Sequence, residues 1–193
     1  MRRELTRSLI VVVIATVSLG LVYPLVMTGL SQVAFSSQAD GSLVTRNGHT
    51  IGSSLIAQGF TSNRYFHPRP SAVDYNAAGT GGDNLGPNSK ALYAAVSKNL
   101  AAVLKLERPY NPGLTAADVP VDAVTASFSG VDPLISPAYA DLQAPRIAAV
   151  RGIPPSTVKH LISQNTAGRF LGLFGEPGVN VLELNLALDR IAP

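Results

Sequence analysis

Cysteine is absent from this 193-residue chain, and charged residues make up only 14% of it. The first shortage excludes disulfides, a thiolate nucleophile and sulfur-rich metal sites. Whatever folds here is held by its own core, and a domain of about 150 residues can bury ~68% of the surface its unfolded chain exposes. The second shortage stands against roughly 25% charged residues in ordinary soluble domains. The charge is also unevenly placed. Three of the 15 Lys+Arg (Arg2, Arg3, Arg7) and one of the 12 Asp+Glu (Glu4) precede Ser8, so most of the formal +3 belongs to the N-terminus. The remainder is nearly neutral and offers no basic stripe for a nucleic acid.

Hydrophobic residues reach 46%, and from Ser8 to Phe35 no side chain is charged. About 20 apolar residues cross the hydrocarbon core as a helix, because hydrocarbon offers backbone amides no other partner. Ser37-Gln38-Ala39 resembles a signal-peptide cleavage site, which would release a secreted domain beginning at Asp40. Signal h-regions, however, run about 7 to 15 residues, so a retained anchor is expected. The arginines before the span predict a cytoplasmic N-terminus. The expected organisation is a cytoplasmic stub at 1–7, a transmembrane helix at 8–35 with Pro24 as a possible kink, and an extracytoplasmic domain at 36–193.

Beyond the span, Asn47-Gly48 between Leu43-Val44 and Thr50-Ile51 predicts a hairpin, since both turn residues must accept positive φ. "YFHPRPSAVDYNAAGTGGDNLGPN", residues 65–88, is rich in helix and strand breakers and predicts a long irregular segment. Tyr65, Phe66 and Tyr75 give that segment something to bury. Leu92, Val96, Leu100, Val103 and Leu104 follow at helical spacing, with Asn88 or Ser89 as cap. "VDAVTASFSGVDPLISP" reads as a strand running into a tight turn. Ser136 and Pro137 form an N-cap and N1 pair for a second helix, which Pro145 should kink. "PPSTVKHLISQNT" predicts a third helix. "VNVLELNLALDRI" reads as a short strand at 179–181 turning into a helix, although its alternation also suits a strand. Strands mixed with helices make the external domain α+β (mixed α/β).

Motifs for chemistry fail on inspection. In "GTGGDNLGPNSK", Gly81 and Gly86 have the Walker A spacing, but Pro87 stands where lysine is needed and has no N–H to offer a phosphate. Asn84 occupies the third glycine position of a dinucleotide fingerprint. "STVK" matches the S-x-x-K of penicillin-recognising enzymes through Ser156 and Lys159, yet the companion K-T-G and S-D-N are missing. That match keeps a hydrolase as the alternative function; otherwise Ser156 simply caps the third helix. His49, His67 and His160 share no metal-ligand spacing. No cofactor is bound through a motif of this chain, and no enzyme is indicated.

Taken together, "GSSLIAQ", "YFHPRPSA", "NLGPN", "TASFSGVDPLISPAYADLQAPRIAAVRG" and "VNVLELNLALD" behind one N-terminal span resemble the C subunit of the Kdp-type potassium-transporting ATPase. Ala57, Asp83, Val131 and Pro145 depart from that family's common residues. The resemblance implies an accessory, non-catalytic subunit of a high-affinity potassium importer in the bacterial plasma (inner) membrane. Its implied partners are a channel-like subunit that binds potassium and a P-type ATPase subunit that hydrolyses ATP. This chain lacks the D-K-T-G-T phosphorylation motif of such an ATPase. The family is described as a catalytic chaperone that raises the ATPase subunit's affinity for nucleotide. Arg69 and Asp74, displayed beside aromatic residues, make the 65–88 segment either a docking element or a rigid loop packed on its own domain. Asn84, Gln143 and Arg146 are the further candidates for interface or structural roles.

Overall fold

The computed structural model describes residues 1–191, so the last two positions of the expected 36–193 domain lie outside the described residues. The chain forms two compact units, divided between Ser53 and Ser54. The hairpin therefore groups with the N-terminal helix.

In the first unit, α1 (Arg2–Val17) and α2 (Tyr23–Ala34) are joined by a π turn at Ser18–Val22. Together they make one helix of 33 residues, long and apolar enough to cross a membrane. At 1.5 Å per residue it spans about 50 Å, against a core of roughly 30 Å. The π turn lies just before Pro24, and in it the Tyr23 N–H reaches back to the Ser18 carbonyl. A proline removes one ladder bond and crowds the carbonyl four residues earlier. Widening the preceding turn lets the helix pass the ring without breaking. After the short α3 (Ser36–Ala39) comes the hairpin of β1 (Leu43–Arg46) and β2 (His49–Ser53). Asn47 at φ 51° and Gly48 at φ 78° supply the two left-handed turn residues.

The second unit is α+β. Its elements are α4 (Lys90–Glu107), β3 (Leu134–Ile135), α5 (Pro137–Arg151), α6 (Pro155–Gln164), β4 (Thr166–Ala167), β5 (Gly178–Asn180) and α7 (Val181–Ile191). The strands form one antiparallel sheet ordered β3-β5-β4. Ile135, Ile147, Val158, Val179, Leu184 and Leu188 make its core with Phe66, which the irregular segment inserts. Ser136 starts α5 as expected: its Oγ accepts the Tyr139 N–H at 3.0 Å and donates to Asp122 Oδ1 at 2.9 Å. Pro145 interrupts the ladder of α5 but does not end the helix, and the carbonyl it frees belongs to exposed Asp141. The alternation after Asn180 yields to α7, which buries Val181, Leu184, Asn185 and Leu188 along one stripe.

Two expectations are corrected. Ser156 does not cap α6: Pro154 occupies the cap position, without a side-chain cap bond, and Ser156 lies inside the first turn. The strand expected across "VDAVTASFSGVDPLISP" is reduced to Leu134–Ile135, with a 3-10 turn at Val121–Ala123. The main-chain partners of its middle are loop groups, not a neighbouring strand. Ser127 N–H donates to Pro70 O, Gly81 N–H to Ser129 O at 2.9 Å, Ser71 Oγ to Gly130 O at 2.6 Å, and Ala57 N–H to Val131 O at 2.9 Å.

This seam places backbones in contact and explains two glycines. A Cβ on Gly82 would meet Phe128 O at 2.8 Å, and one on Gly130 (φ 71°) would meet Val73 Cγ2 at 2.5 Å and Gly81 O at 2.9 Å. Gly130→Ala should therefore cost at least the roughly 1–3 kcal/mol of a left-handed non-glycine residue. The expected outcome is a lower urea midpoint, read by far-UV circular dichroism on the full chain in detergent. An unchanged midpoint would mean that the seam is not packed as described.

Candidate functional site

Asn63 to His67 lies outside any helix or strand, yet it delivers Phe66 to the core. Buried main-chain groups need partners, and three side chains supply them. Arg146 Nη1 donates to the carbonyls of Asn63 and Tyr65, the latter at 3.0 Å. Gln143 grips His67 at both ends, its Oε1 accepting the N–H at 2.8 Å and its Nε2 donating to the carbonyl at 3.1 Å. Asn185 does the same to Phe66, at 2.8 and 3.0 Å. Two side-chain amides thus take the place of a neighbouring strand.

The gripping residues are themselves positioned from α4, α5 and α7. Gln143 and Arg146 stand three apart on α5, on one face, and Arg146 Nη2 donates to Gln143 Oε1 at 2.8 Å. Arg146 Nε donates to Glu107 Oε1 at 2.8 Å, with both side chains essentially removed from water. Burial pushes the Glu107 carboxyl above its ordinary range, and the Arg146 guanidinium beside it opposes that shift. Glu107 Oε2 has no hydrogen-bond partner. At the rim, Tyr65 Oη donates to Asp189 Oδ2 at 3.1 Å, and Arg151 Nη2 donates to Asp189 Oδ1 at 2.9 Å. The Arg151 guanidinium also lies over the Tyr65 ring, 5.0 Å from its centre. His67 Nε2 donates to Ser62 O at 3.1 Å. Burial lowers its pKa, the Ser62 contact opposes that, and Arg146 adds to it.

Of the residues singled out from sequence, Gln143 and Arg146 come together inside the domain. Arg69 lies apart, with about a quarter of its side chain exposed, 3.3 Å from Asp132 Oδ2 and within 3.4 Å of Ala126 O. Asp74 (φ 51°), in a turn, and Asn84 (φ 52°), in irregular chain, are both exposed. Ser156 and Lys159 stand exposed on α6. Among the described residues no group of three His, Cys, Asp or Glu converges on a point. Sequence reading missed Glu107, Arg151, Asn185 and Asp189. Two signals were present. Glu107 closes a helix, where the dipole disfavours a carboxylate. Asn185 interrupts an apolar stripe of α7, where an unpaired amide would be costly.

Comparison with known proteins decides the family. A family model described as "K+-transporting ATPase, c chain" matches residues 5–190. The chain belongs to the KdpC family. It is 47% identical to the potassium-transporting ATPase KdpC subunit of Bradyrhizobium diazoefficiens over 206 residues, covering 100% of this chain and 99% of that one. It is 49% identical to the KdpC subunit of Rhodopseudomonas palustris, covering 98% of each. The KdpC subunit of Koribacter versatilis is 44% identical across 100% of this chain and 97% of its own length. As a KdpC chain it is a subunit of a potassium-transporting ATPase, and its one apolar N-terminal helix fits a single-pass membrane protein.

Arg146→Met should destabilise the domain by roughly 3–5 kcal/mol, because it strands a buried carboxylate and two carbonyls. Glu107→Leu should fall in the same range by leaving the Arg146 Nε without its acceptor. Urea unfolding would measure both, and losses below about 1 kcal/mol would contradict the burial described. His67 gives a pH dependence. Its folded pKa is depressed, so its contribution is present above about 6.5 and is lost as the pH falls through the depressed value. Glu107 has the opposite sign, with a contribution present below about 4.5 and lost as the pH rises through its raised value. His67→Gln should therefore flatten the melting temperature below neutrality and leave the Glu107 limb in place.

Proposed function

We propose that this chain is the accessory, non-catalytic subunit of its potassium-transporting ATPase, holding the complex together from the extracytoplasmic side. The family match across residues 5–190 behind one apolar span is the observation that carries the reading. The arginines ahead of the span support an N-in orientation. Potassium and ATP are then handled by a channel-like and a P-type ATPase subunit, and this chain raises the latter's affinity for nucleotide. With the folded domain outside, that influence passes through the membrane-embedded subunits as a coupling free energy, or through residues 1–7.

Docking is assigned to the face around Arg69. Arg69 lines two surface concavities of about 300 and 530 Å³. Leu55 and Phe128 line the larger, and Phe128 is 84% exposed. Arginine beside unburied aromatic surface is the composition of interface anchors. A nearly neutral domain has little long-range steering, so residence comes from such contacts and from tethering to the same membrane.

Co-purification from native membranes tests this. Removing residues 1–35 should leave a folded domain that binds the other subunits poorly. Arg69→Ala should cost on the order of 2 kcal/mol of binding. Its partly exposed pair with Asp132 adds at most about 1 kcal/mol to stability, so the melting temperature should move little. A variant that melts early while co-purifying normally would assign Arg69 to the fold alone. Alkaline phosphatase fused at the C-terminus should be active if the domain lies outside, and Ser156→Ala should leave potassium-limited growth unchanged.

A further inference from the structure

Asn47 is the only asparagine of this chain that is followed by glycine. Both residues are exposed at the tip of the β1–β2 hairpin, at φ 51° and 78°. The Asn47 side-chain amide has no hydrogen-bond partner among the described residues. By contrast, the amides of Asn99, Asn111, Asn165, Asn180 and Asn185 each donate to a main-chain carbonyl. The space around Gly48 is open, since a Cβ added there would meet no atom within 4 Å. The hairpin is a sheet of two strands, with its pairing already irregular between Val44 and Thr45. Such a sheet is marginal in water, so its turn opens at low cost.

We propose that Asn47 is a site of spontaneous covalent modification, converted to aspartate and isoaspartate through a succinimide formed with the Gly48 nitrogen. Opening of the turn lets Asn47 rotate its side chain onto the following main-chain nitrogen. That nitrogen, having lost its proton to solvent, attacks Asn47 Cγ. The new C–N bond closes the ring, and the side-chain nitrogen leaves as ammonia after taking up a proton. Water then opens the ring at either carbonyl. Cleavage of the Cγ–N bond gives aspartate; cleavage of the original peptide bond gives isoaspartate, whose main chain runs through Cβ. Nothing is oxidised or reduced. Glycine alone leaves the attacking nitrogen without a Cβ beside it, which is why this asparagine is singled out. Either product places a negative charge between Arg46 and His49. Isoaspartate also lengthens the main chain by one atom inside a two-residue turn that sets the register of both strands.

The test uses the full chain in detergent, aged at neutral and at mildly alkaline pH and then mapped as peptides by mass spectrometry. Asn84 is the internal reference, because it is also exposed and left-handed at φ 52° but is followed by Leu85. Asn47 should convert several-fold faster than Asn84, and faster at the higher pH, where the Gly48 nitrogen loses its proton more readily. Part of the product should elute as isoaspartate, and the amides of β1 and β2 should then exchange faster while those of α5 stay protected. Gly48→Ala should slow the conversion several-fold. A left-handed alanine is strained and loosens the turn, which by itself would speed conversion, so slowing isolates the attack on Cγ. Conversion of Asn47 no faster than that of Asn84 overturns the proposal. So does an intact Asn47 in the folded chain alongside rapid conversion in urea, since the turn would then be protective. An unslowed Gly48→Ala variant overturns the assignment of the Gly48 nitrogen as nucleophile.

Discussion

One buried guanidinium organises the folded domain. Arg146 lies between α4 and the irregular segment, bound to Glu107 on one side and to the carbonyls of Asn63 and Tyr65 on the other. An irregular chain cannot enter a core unless its amides and carbonyls are paired there. Arg146, Gln143 and Asn185 together do for Tyr65–His67 what a sheet does for a strand. Phe66 can then occupy the centre of the core at 0% exposure. A buried ion pair contributes little net stability compared with a well-packed apolar substitute. Its significance here is specificity, since the planar fork of arginine fits one arrangement of its four acceptors and few others.

From that anchored point the rest of the loop is laid down by contact, not by periodic hydrogen bonding. Pro68 and Pro70 hold the residues before them extended, which carries Arg69 towards Asp132. Ser71 then gathers the Val73 and Tyr75 amides and the Gly130 carbonyl. The glycines that resemble a phosphate cradle bring two backbones together, and the Gly81 amide that a phosphate would need is bound to Ser129. Packing the loop inwards leaves a particular outside: Arg69 lining two concavities, Phe128 exposed in the larger of them, and the exposed Phe170–Phe174 turn.

The membrane helix and the domain obey different constraints. In hydrocarbon every backbone group must be satisfied within the helix, so Pro24 is accommodated by a local change of hydrogen-bond spacing. In the domain the same need is met by side chains, because packing can hold them where an isolated chain could not.

Much of this protein was legible in local sequence. The uncharged run from Ser8 to Phe35, the Asn47-Gly48 turn and the Ser136-Pro137 helix start each depend on neighbours a few residues away. Local propensity and periodicity therefore sufficed, and the run of family motifs identified the relatives. Ser127 to Val131 could not be read in this way, because its partners are Pro70, Ser71, Gly81 and Ala57, all distant in the chain. Nor could the roles of Glu107 and Asn185, whose counterparts lie 39 and 119 residues away. Sequence alone determined which segments are helical, apolar or turn-forming. Only the tertiary structure decided which polar side chains stand in for a missing strand, because that depends on three helices converging on one segment of irregular chain.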